Sequence, residues 1–262
     1  MESKQNKPLQ KIYFASDFHL GIPDYESSLQ RERMLVSWLD HARKDAAEIF
    51  LMGDIFDFWF EYKTVVPKGY VRLLGKLAQM TEEGIPVHLF TGNHDIWAFE
   101  YLQKEVNIQL HPHPEILKIM EKMFYLAHGD GLGPGDNGYK FLKKVFSSRF
   151  NQFLFRWLHP DVGAKMGLYF SSKSRLANMI KENKKENLSR IEDEMLYKYA
   201  SGLLKNGLEV DYFVFGHRHR PADVELQPGR HMVILGDWIT NFTYAEFDGK
   251  DLNLKYFKNE LL

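Results

Sequence analysis

The first half of the chain alternates short apolar runs with longer segments of helical periodicity, and this alternation restricts the fold more than any other feature. The runs Lys11–Ser16, Glu48–Met52 and Pro86–Phe90 have the length and composition of buried strands. Between them, Ser27–Arg43 and Gly69–Glu83 carry apolar residues at helical spacing. Strands joined through helices predict crossover units and a largely parallel sheet.

The second half predicts more strands and one long helical segment. The further short apolar runs are Phe124–Ala127, Tyr212–Phe215, Met232–Leu235, Tyr244–Phe247 and Leu252–Phe257. In contrast, residues 139–190 contain no convincing strand and almost no Gly or Pro, which indicates several inserted helices. We therefore expect an α/β fold with two packed sheets, in which residues 1–138 and 191–262 form the main domain and 139–190 an insertion.

Cysteine is absent from the 262 residues, which excludes disulfides and thiolate metal sites. A bound metal would need His, carboxylate or amide ligands. The polar start has no signal-peptide pattern, and no stretch approaches the ~18 apolar residues of a membrane span. We therefore expect a cytoplasmic protein. A formal net charge of −1 argues against a general nucleic-acid binder, which normally carries a basic excess.

Five motifs of carboxylates, imidazoles and one amide directly follow predicted strands. They are Asp17-Phe18-His19, Gly53-Asp54-Ile55-Phe56-Asp57, Gly92-Asn93-His94-Asp95, His128-Gly129-Asp130 and Gly216-His217-Arg218-His219. Loops at the carboxyl ends of parallel strands converge on one crevice, so these side chains can meet in space. The ligand types suit Mn²⁺, Fe²⁺ or Zn²⁺ in two sites that share a bridge. Each motif alone also fits an ordinary turn, but the ordered set favours a metal centre.

The ordered set resembles the signature of the calcineurin-like metallophosphoesterase superfamily, from about Lys11 to Phe257. Within it, the chain is similar to the UDP-2,3-diacylglucosamine pyrophosphatases of lipid A biosynthesis. That narrower similarity is carried by the helical insertion and by His128-Gly129-Asp130-Gly131, Ser172-Lys173-Ser174 and Gly216-His217-Arg218-His219-Arg220-Pro221. The resemblance implies a four-layer α/β/β/α sandwich with a helical insertion, or cap.

The resemblance also implies roles for the motif residues. One metal would be held by Asp17, His19 and His219, the other by Asn93, His128 and His217, with Asp54 as the bridge. Two cations a few ångströms apart repel each other, so a carboxylate between them agrees with this division. Family similarity favours two Mn²⁺ ions, while the ligands alone do not separate Mn²⁺ from Fe²⁺ or Zn²⁺.

His94 is a candidate for the chemistry, because an imidazole beside a phosphate can hydrogen-bond the phosphoryl oxygen or protonate the leaving oxygen. We expect Asp95 to hold that ring in one tautomer. The chain departs from the lipid A enzymes here, since they carry Arg where it has His94. Asp57, Asp130 and Asp237 are expected to orient ligands. The candidates for substrate contacts are Asn93, His94, Ser172, Lys173 and Arg175.

The insertion is basic and rich in aromatic residues. Residues 139–190 hold twelve Lys and Arg but three Asp and Glu, a formal charge of +9, which leaves −10 on the rest of a chain of net charge −1. Such composition is typical of amphipathic helices at anionic interfaces. The aromatics could simply pack on the main domain, or bind nucleic acid bases. The resemblance favours a third interpretation, in which the insertion caps the site, receives acyl chains and rests on anionic headgroups.

The resemblance therefore implies a hydrolase that cleaves UDP-2,3-diacylglucosamine to UMP and 2,3-diacylglucosamine 1-phosphate. Its partners would be the UDP-linked lipid and an anionic membrane surface, with no nucleic acid. It would be cytoplasmic and peripheral on the inner face of the cytoplasmic membrane. Two alternatives stay open: a metallophosphoesterase acting on a soluble nucleotide or another phosphodiester, and a non-enzymatic scaffold. The intact set of motif residues argues against the scaffold.

Overall fold

The structure, a computed structural model, describes residues 10–133, 137–185 and 190–257, without the side chains of 174–185. Its strands are β1 (Lys11–Ala15), β2 (Ala46–Leu51), β3 (Val87–Phe90), β4 (Gln109–His111), β5 (Glu115–Ile119), β6 (Lys122–Ala127), β7 (Tyr212–Phe215), β8 (Ala222–Gln227), β9 (Arg230–Ile234), β10 (Thr243–Phe247) and β11 (Leu252–Tyr256). Its α-helices are α1 (Tyr25–Ala42), α2 (Val71–Glu82), α3 (Tyr101–Val106), α4 (Asn137–Phe146), α5 (Arg149–Arg156), α6 (Pro160–Lys185) and α7 (Met195–Lys205). A short 3₁₀ turn, Ile191–Asp193, precedes α7.

The strands form two sheets. The first has the order β11-β10-β1-β2-β3-β4, and β1 to β4 run parallel because α1, α2 and α3 connect them. The second has the order β5-β6-β7-β9-β8, with β6, β7 and β9 parallel and an antiparallel strand at each edge. The largely parallel sheet predicted from the alternating pattern is confirmed.

Strand β1 shows how the layers are built, because its side chains alternate between two cores. Tyr13 belongs to the core that contains buried residues of α1 and α2, whereas Phe14 faces the second sheet. The Phe14 ring lies 5.1 Å from that of Phe50 in its own sheet and 5.7 Å from that of Phe124 in the other. A third core joins β6, β7 and β9 to α7. The result is the expected α/β/β/α sandwich.

The apolar runs correctly located their strands, but β4, β5 and β8 are not predicted from the sequence. Both β5 and β8 are edge strands whose residues alternate between partly buried and exposed positions. Edge strands tolerate charged side chains because one face and one edge meet water. Sequences such as EILKI and ADVELQ therefore lack the apolar run that marks a central strand.

The described part of the predicted insertion consists of α4, α5 and α6 joined by short turns, and it packs on the loops that follow β2 and β3. The ring of Phe155 in α5 lies 4.7 Å from Phe60 and 4.7 Å from Trp97. The Trp97 indole donates to the carbonyl oxygen of Phe146 at 2.9 Å. Gly167 in α6 approaches the Phe58 ring so closely that a Cβ atom would overlap it. No helix in the described ranges is both long and apolar enough to cross a bilayer.

Candidate metal centre

The motif side chains converge at the carboxyl ends of the parallel strands, as the sequence predicts. Three groups of carboxylate and imidazole atoms each lie within 4.8 Å of one another: Asp17, His19 and His219; His19, Asp54 and His94; and Asp54, His128 and His217. Asp54 and His19 each belong to two groups, so the three groups form one continuous cluster. Asp54 is 2% exposed, which places a shared carboxylate in the buried middle of that cluster.

The backbone of the cluster is held in an uncommon conformation. Asp17, His19, Asp54 and His217 have φ angles of 59°, 45°, 54° and 63°, in the left-handed region that few non-glycine residues adopt. Such conformations persist where the surrounding structure imposes them, and they cluster at functional sites. Here the Asp17 and His19 N–H groups donate to the carbonyl oxygens of Gly53 and Asp54, both at 3.0 Å. These bonds tie the loop after β1 to the loop after β2.

Two motif glycines allow these loops to approach. A Cβ atom on Gly92 would overlap the Asp54 carboxylate, and one on Gly216 would overlap Ser16 and crowd Asp17. The glycine in Gly-Asn-His-Asp is therefore required by the space beside Asp54.

The imidazoles are oriented by hydrogen bonds on the side away from the cluster. His128 Nδ1 lies 2.7 Å from the carbonyl oxygen of Met52, which can only accept, so Nδ1 carries the proton. Likewise, His19 Nδ1 lies 3.2 Å from Oδ1 of Asp57. Each ring then presents the Nε2 lone pair inward, which is the tautomer that metal ligation uses.

The inward atoms leave a set of buried acceptors without donors. Asp17 Oδ1, Asn93 Oδ1 and His128 Nε2 are buried and have no hydrogen-bond partner among the described residues. His128 Nε2 lies 3.2 Å from Asp54 Oδ2 without a hydrogen bond of acceptable geometry. Two acceptors at this separation need a positive charge between them, and unpaired buried acceptors are otherwise costly. The donor set thus fits divalent cations.

The charges of the cluster shift the pKa values of its members. Burial raises the pKa of Asp54, but the imidazoles, His128 first, outweigh it and hold that pKa well below its ordinary value. Burial lowers the pKa of His128, yet the Asp54 carboxylate raises it to about 10, so a proton and a cation compete for the Nε2 lone pair. Burial lowers the pKa values of His94 and His217 to about 4. Ionised Asp54 beside neutral His217 is the combination that binds metal ions.

Asp95 does not have the expected contact with the His94 ring. Its Oδ1 and Oδ2 accept from the N–H groups of Gly92 at 2.7 Å and Ile55 at 2.8 Å, so it braces two loops. Burial raises the pKa of Asp95 to about 7. The His94 ring is instead held at Nδ1, which lies 3.0 Å from the carbonyl oxygen of Asp57. The side chains of His94 and Asp95 point in different directions because the Asp95 carboxylate accepts hydrogen bonds from the backbone of the two loops.

Ser171 is a site residue that the sequence did not indicate. It is buried on α6; its Oγ donates to Asp57 Oδ2 at 2.5 Å and lies 2.9 Å from His94 Nδ1. The predicted substrate contacts Ser172 and Lys173 are exposed, and the Ser172 hydroxyl donates to the Tyr169 carbonyl at 2.8 Å. The side chain of Arg175, the third predicted contact on the insertion, lies outside the described residues. Successive residues of an α-helix project about 100° apart, which is why Ser171 is buried whereas Ser172 is exposed.

The three carboxylates expected to orient ligands, Asp57, Asp130 and Asp237, have different contacts. Asp57 orients His19, as predicted. Asp130 accepts from Tyr139 and lies 2.7 Å from Lys143 Nζ, so it anchors α4. Asp237 caps the turn that follows it, accepting from the N–H of Ile239 at 2.7 Å.

Two arginines have clear structural partners. Arg218, between two candidate ligands, pairs with Glu194 through Nε at 2.9 Å and Nη2 at 3.0 Å. Arg31 on α1 was not predicted to take part; its guanidinium donates to the carbonyls of Phe18 at 3.1 Å and His19 at 3.0 Å. The signal that could have revealed it is a cation at helical spacing from the apolar Leu35 and Trp38 of the same predicted helix.

The sandwich architecture and the His and Asp cluster at its strand ends are features of metal-dependent phosphoesterases. The calcineurin-like phosphoesterase family matches residues 10–221 of the chain. The chain belongs to this family, and it is a metal-dependent hydrolase.

Individual relatives extend the similarity to nearly the full length. The chain is 38% identical over 253 residues to a UDP-2,3-diacylglucosamine hydrolase of Porphyromonas gingivalis, covering 94% of this chain and 97% of that protein. It is 23% identical to a UDP-2,3-diacylglucosamine hydrolase of Actinobacillus succinogenes, covering 94% and 100%. Among solved structures, Yfce, a phosphoesterase from E. coli, is 16% identical with a TM-score of 0.43, covering 94% of this chain and 93% of that one.

Proposed function

We propose that the protein hydrolyses the pyrophosphate bond of UDP-2,3-diacylglucosamine to give UMP and 2,3-diacylglucosamine 1-phosphate. The observation that carries the substrate is the 38% identity, across 94% of the chain, to a relative named for that activity. The cluster around Asp54 supports the reaction type, because phosphoryl hydrolysis by paired cations needs a shared carboxylate in a buried crevice.

In this proposal the ligands divide as the resemblance implies. Asp17, His19 and His219 would hold one cation, Asn93, His128 and His217 would hold the other, and the Asp54 carboxylate would be shared. The unpartnered oxygens of Asp17 and Asn93 support this assignment. Two divalent cations, with Mn²⁺ expected, would supply Lewis acidity that activates a water and neutralises charge on the phosphate oxygens.

His94 acts on the phosphate in this proposal. Its Nδ1 is committed to the Asp57 carbonyl and its Nε2 points toward the cluster, 3.9 Å from Asp54 Oδ2. A bound phosphate brings negative charge next to Nε2, which raises the pKa of an imidazole and favours its protonated form. The ring then donates to a phosphoryl oxygen or to the leaving oxygen. Asp57 and Ser171 fix the ring for that contact.

The insertion forms the lipid-facing cap, residues 139–190, in the same proposal. The rings of Trp157, Phe150 and Phe141 are 78%, 68% and 67% exposed, although aromatic side chains usually account for much of a protein core. Apolar groups among basic residues favour contact with acyl chains and an anionic membrane surface. We therefore place the protein on the inner face of the cytoplasmic membrane, without nucleic acid as a partner.

The test is an assay of the purified chain with Mn²⁺ on UDP-2,3-diacylglucosamine and on its deacylated analogue. We expect UMP release from the diacylated substrate at a much higher rate. Equal rates on both would instead support a phosphoesterase for soluble nucleotides or other phosphodiesters. An Asp54→Asn variant serves as the matched control for contaminating hydrolases, since only the dimetal reaction depends on that carboxylate.

A further inference from the structure

A cavity of about 310 Å³ lies beside the metal centre. One wall is the turn from His111 to Pro114 after β4, together with Phe90 at the end of β3. Helix α4 forms the opposite wall, and residues 127–132 close the side next to the cluster. The volume falls at the lower end of small-molecule sites, which begin near ~300 Å³.

One face of α4 makes the cavity basic. Lys140, Lys143, Lys144 and Ser147 line it, at helical spacing that places them on one side of the helix. Asp130 is the single carboxylate residue among the described lining residues, and it lies 2.7 Å from Lys143 Nζ. Lys144 is exposed and forms no ion pair with another described residue. The lining therefore retains positive charge, which favours a phosphate.

The wall opposite α4 is flat and rigid. The rings of Phe90 and His111 are stacked with centroids 4.6 Å apart and an interplanar angle of 13°. His111 is held at both nitrogens, by His88 at 3.0 Å and by Glu115 at 2.9 Å. Phe90 is 1% exposed, so it supports the partly exposed His111 ring from behind. A planar ring in a fixed position suits stacking with a nucleobase, which gains affinity without hydrogen-bond readout.

We propose that this cavity binds the uridine monophosphate half of the substrate, an inference that rests on the proposed function. His128 belongs to both the cavity lining and the metal centre, so one half of a substrate with its pyrophosphate at the centre can reach the cavity. Lysines favour the nucleotide phosphate, and the His111 ring favours uracil. We assign the acyl chains to a different surface, because the exposed Phe141, Phe150 and Trp157 offer apolar contacts outside the cavity lining.

The test is calorimetric titration of UMP into the full chain with Mn²⁺, comparing the wild type with Lys144→Glu and His113→Ala. His113→Ala removes a second imidazole from the turn that lines the cavity, and we expect it to weaken the binding of UMP more than that of inorganic phosphate. We expect Lys144→Glu to weaken UMP binding about tenfold, since one charge-assisted contact becomes repulsive. Lys144→Arg should stay within about twofold of the wild type for the same reason. Lys205→Ala, an exposed lysine at the end of α7 and outside the cavity, is the matched control and should bind UMP normally.

Unchanged UMP affinity in both Lys144→Glu and His113→Ala, with wild-type melting temperatures, would overturn the proposal. Inorganic phosphate is a second probe that separates recognition of a nucleotide from recognition of any anion. If both variants lose the same affinity for phosphate as for UMP, the cavity is a phosphate site only, and that result would also overturn the proposal. Weakened UMP binding in a chain that does not hydrolyse the diacylated substrate would support the cavity and reject the proposed function. Hydrolysis with unaffected UMP binding would reject the cavity alone.

Discussion

The Ser171 hydroxyl donates a 2.5 Å hydrogen bond to Asp57, across 114 residues of sequence. It joins the longest helix of the insertion to the loop after β2. The other oxygen of the Asp57 carboxylate lies 3.2 Å from His19 Nδ1. The position of α6 is therefore linked, through one carboxylate, to the orientation of a candidate metal ligand.

Replacing Ser171 with alanine should lower kcat about tenfold and leave KM for the substrate nearly unchanged, because it loosens Asp57 and His94 rather than removing a substrate contact. The free energy of unfolding should fall by about 1 kcal/mol for the lost buried hydrogen bond. Steady-state kinetics and thermal melting measure both. Ser148→Ala, on the same insertion at a hydroxyl without a capping bond, is the control. A wild-type kcat in Ser171→Ala would rule out the proposed link between α6 and the orientation of His19 through Asp57.

Ser171 and its neighbours show that the ligand positions could be predicted from the sequence, whereas the inward-facing serine of α6 could not. The positions of candidate ligands such as Asp17 and His128 are predictable because they directly follow apolar strands, and strand ends meet at one crevice. Which serine of α6 points inward depends on the rotation of the helix about its axis. That rotation depends on packing between segments far apart in sequence, such as the close approach of Gly167 to Phe58 and of Gly163 to Tyr62.

Asp95 and Arg31 show that the hydrogen-bond partners of buried polar side chains could not be predicted from the sequence either. Asp95 was expected to hold the His94 ring because the two are adjacent, but the loop turns its carboxylate toward two backbone N–H groups. Arg31 supports the His19 loop from α1, the helix that follows that loop. Buried polar groups take whichever donors the folded loops leave unsatisfied, and a linear pattern does not contain that information.

Asp54→Asn should reduce bound Mn²⁺ from two ions per chain to one or none and lower hydrolysis by at least about a thousandfold. The amide keeps the shape of the side chain but removes the charge that faces His128 at 3.2 Å. Metal content after dialysis and kcat are the measurements.

Thermal melting adds a second readout for the same variant. A ligand that binds only the folded state stabilises it by about 2.7 kcal/mol at a hundredfold excess over Kd. Added Mn²⁺ should therefore raise the melting temperature of the wild type, and EDTA should reverse the effect. The shift should be much smaller in Asp54→Asn. Two tightly bound ions in that variant would contradict the bridging role.

Two glycine substitutions should change stability in opposite directions. Gly92→Ala places a methyl group against the Asp54 carboxylate, so we expect a loss of at least about 1 kcal/mol together with loss of Mn²⁺ binding. Gly75→Ala is the matched control, since it lies inside α2 with no atom near its Cβ position. Alanine there should stabilise the protein by about 0.5–1 kcal/mol. Chemical denaturation measures the change in the free energy of unfolding for each variant. Changes of the same sign would show that the space beside Asp54 is not limiting.

Trp157→Ala should weaken binding to anionic vesicles about tenfold or more, because the ring is 78% exposed and would be buried among headgroups. Flotation with vesicles of increasing anionic lipid content is the measurement, together with a blue shift of tryptophan emission that Trp157→Ala should diminish. Tyr25→Ala is the matched control, since that ring is 70% exposed but lies on α1 of the main domain. The basic residues of the cap predict that added salt releases the protein. Binding that ignores both salt and lipid charge would mean that the aromatic face of the cap serves the acyl chains of the substrate alone.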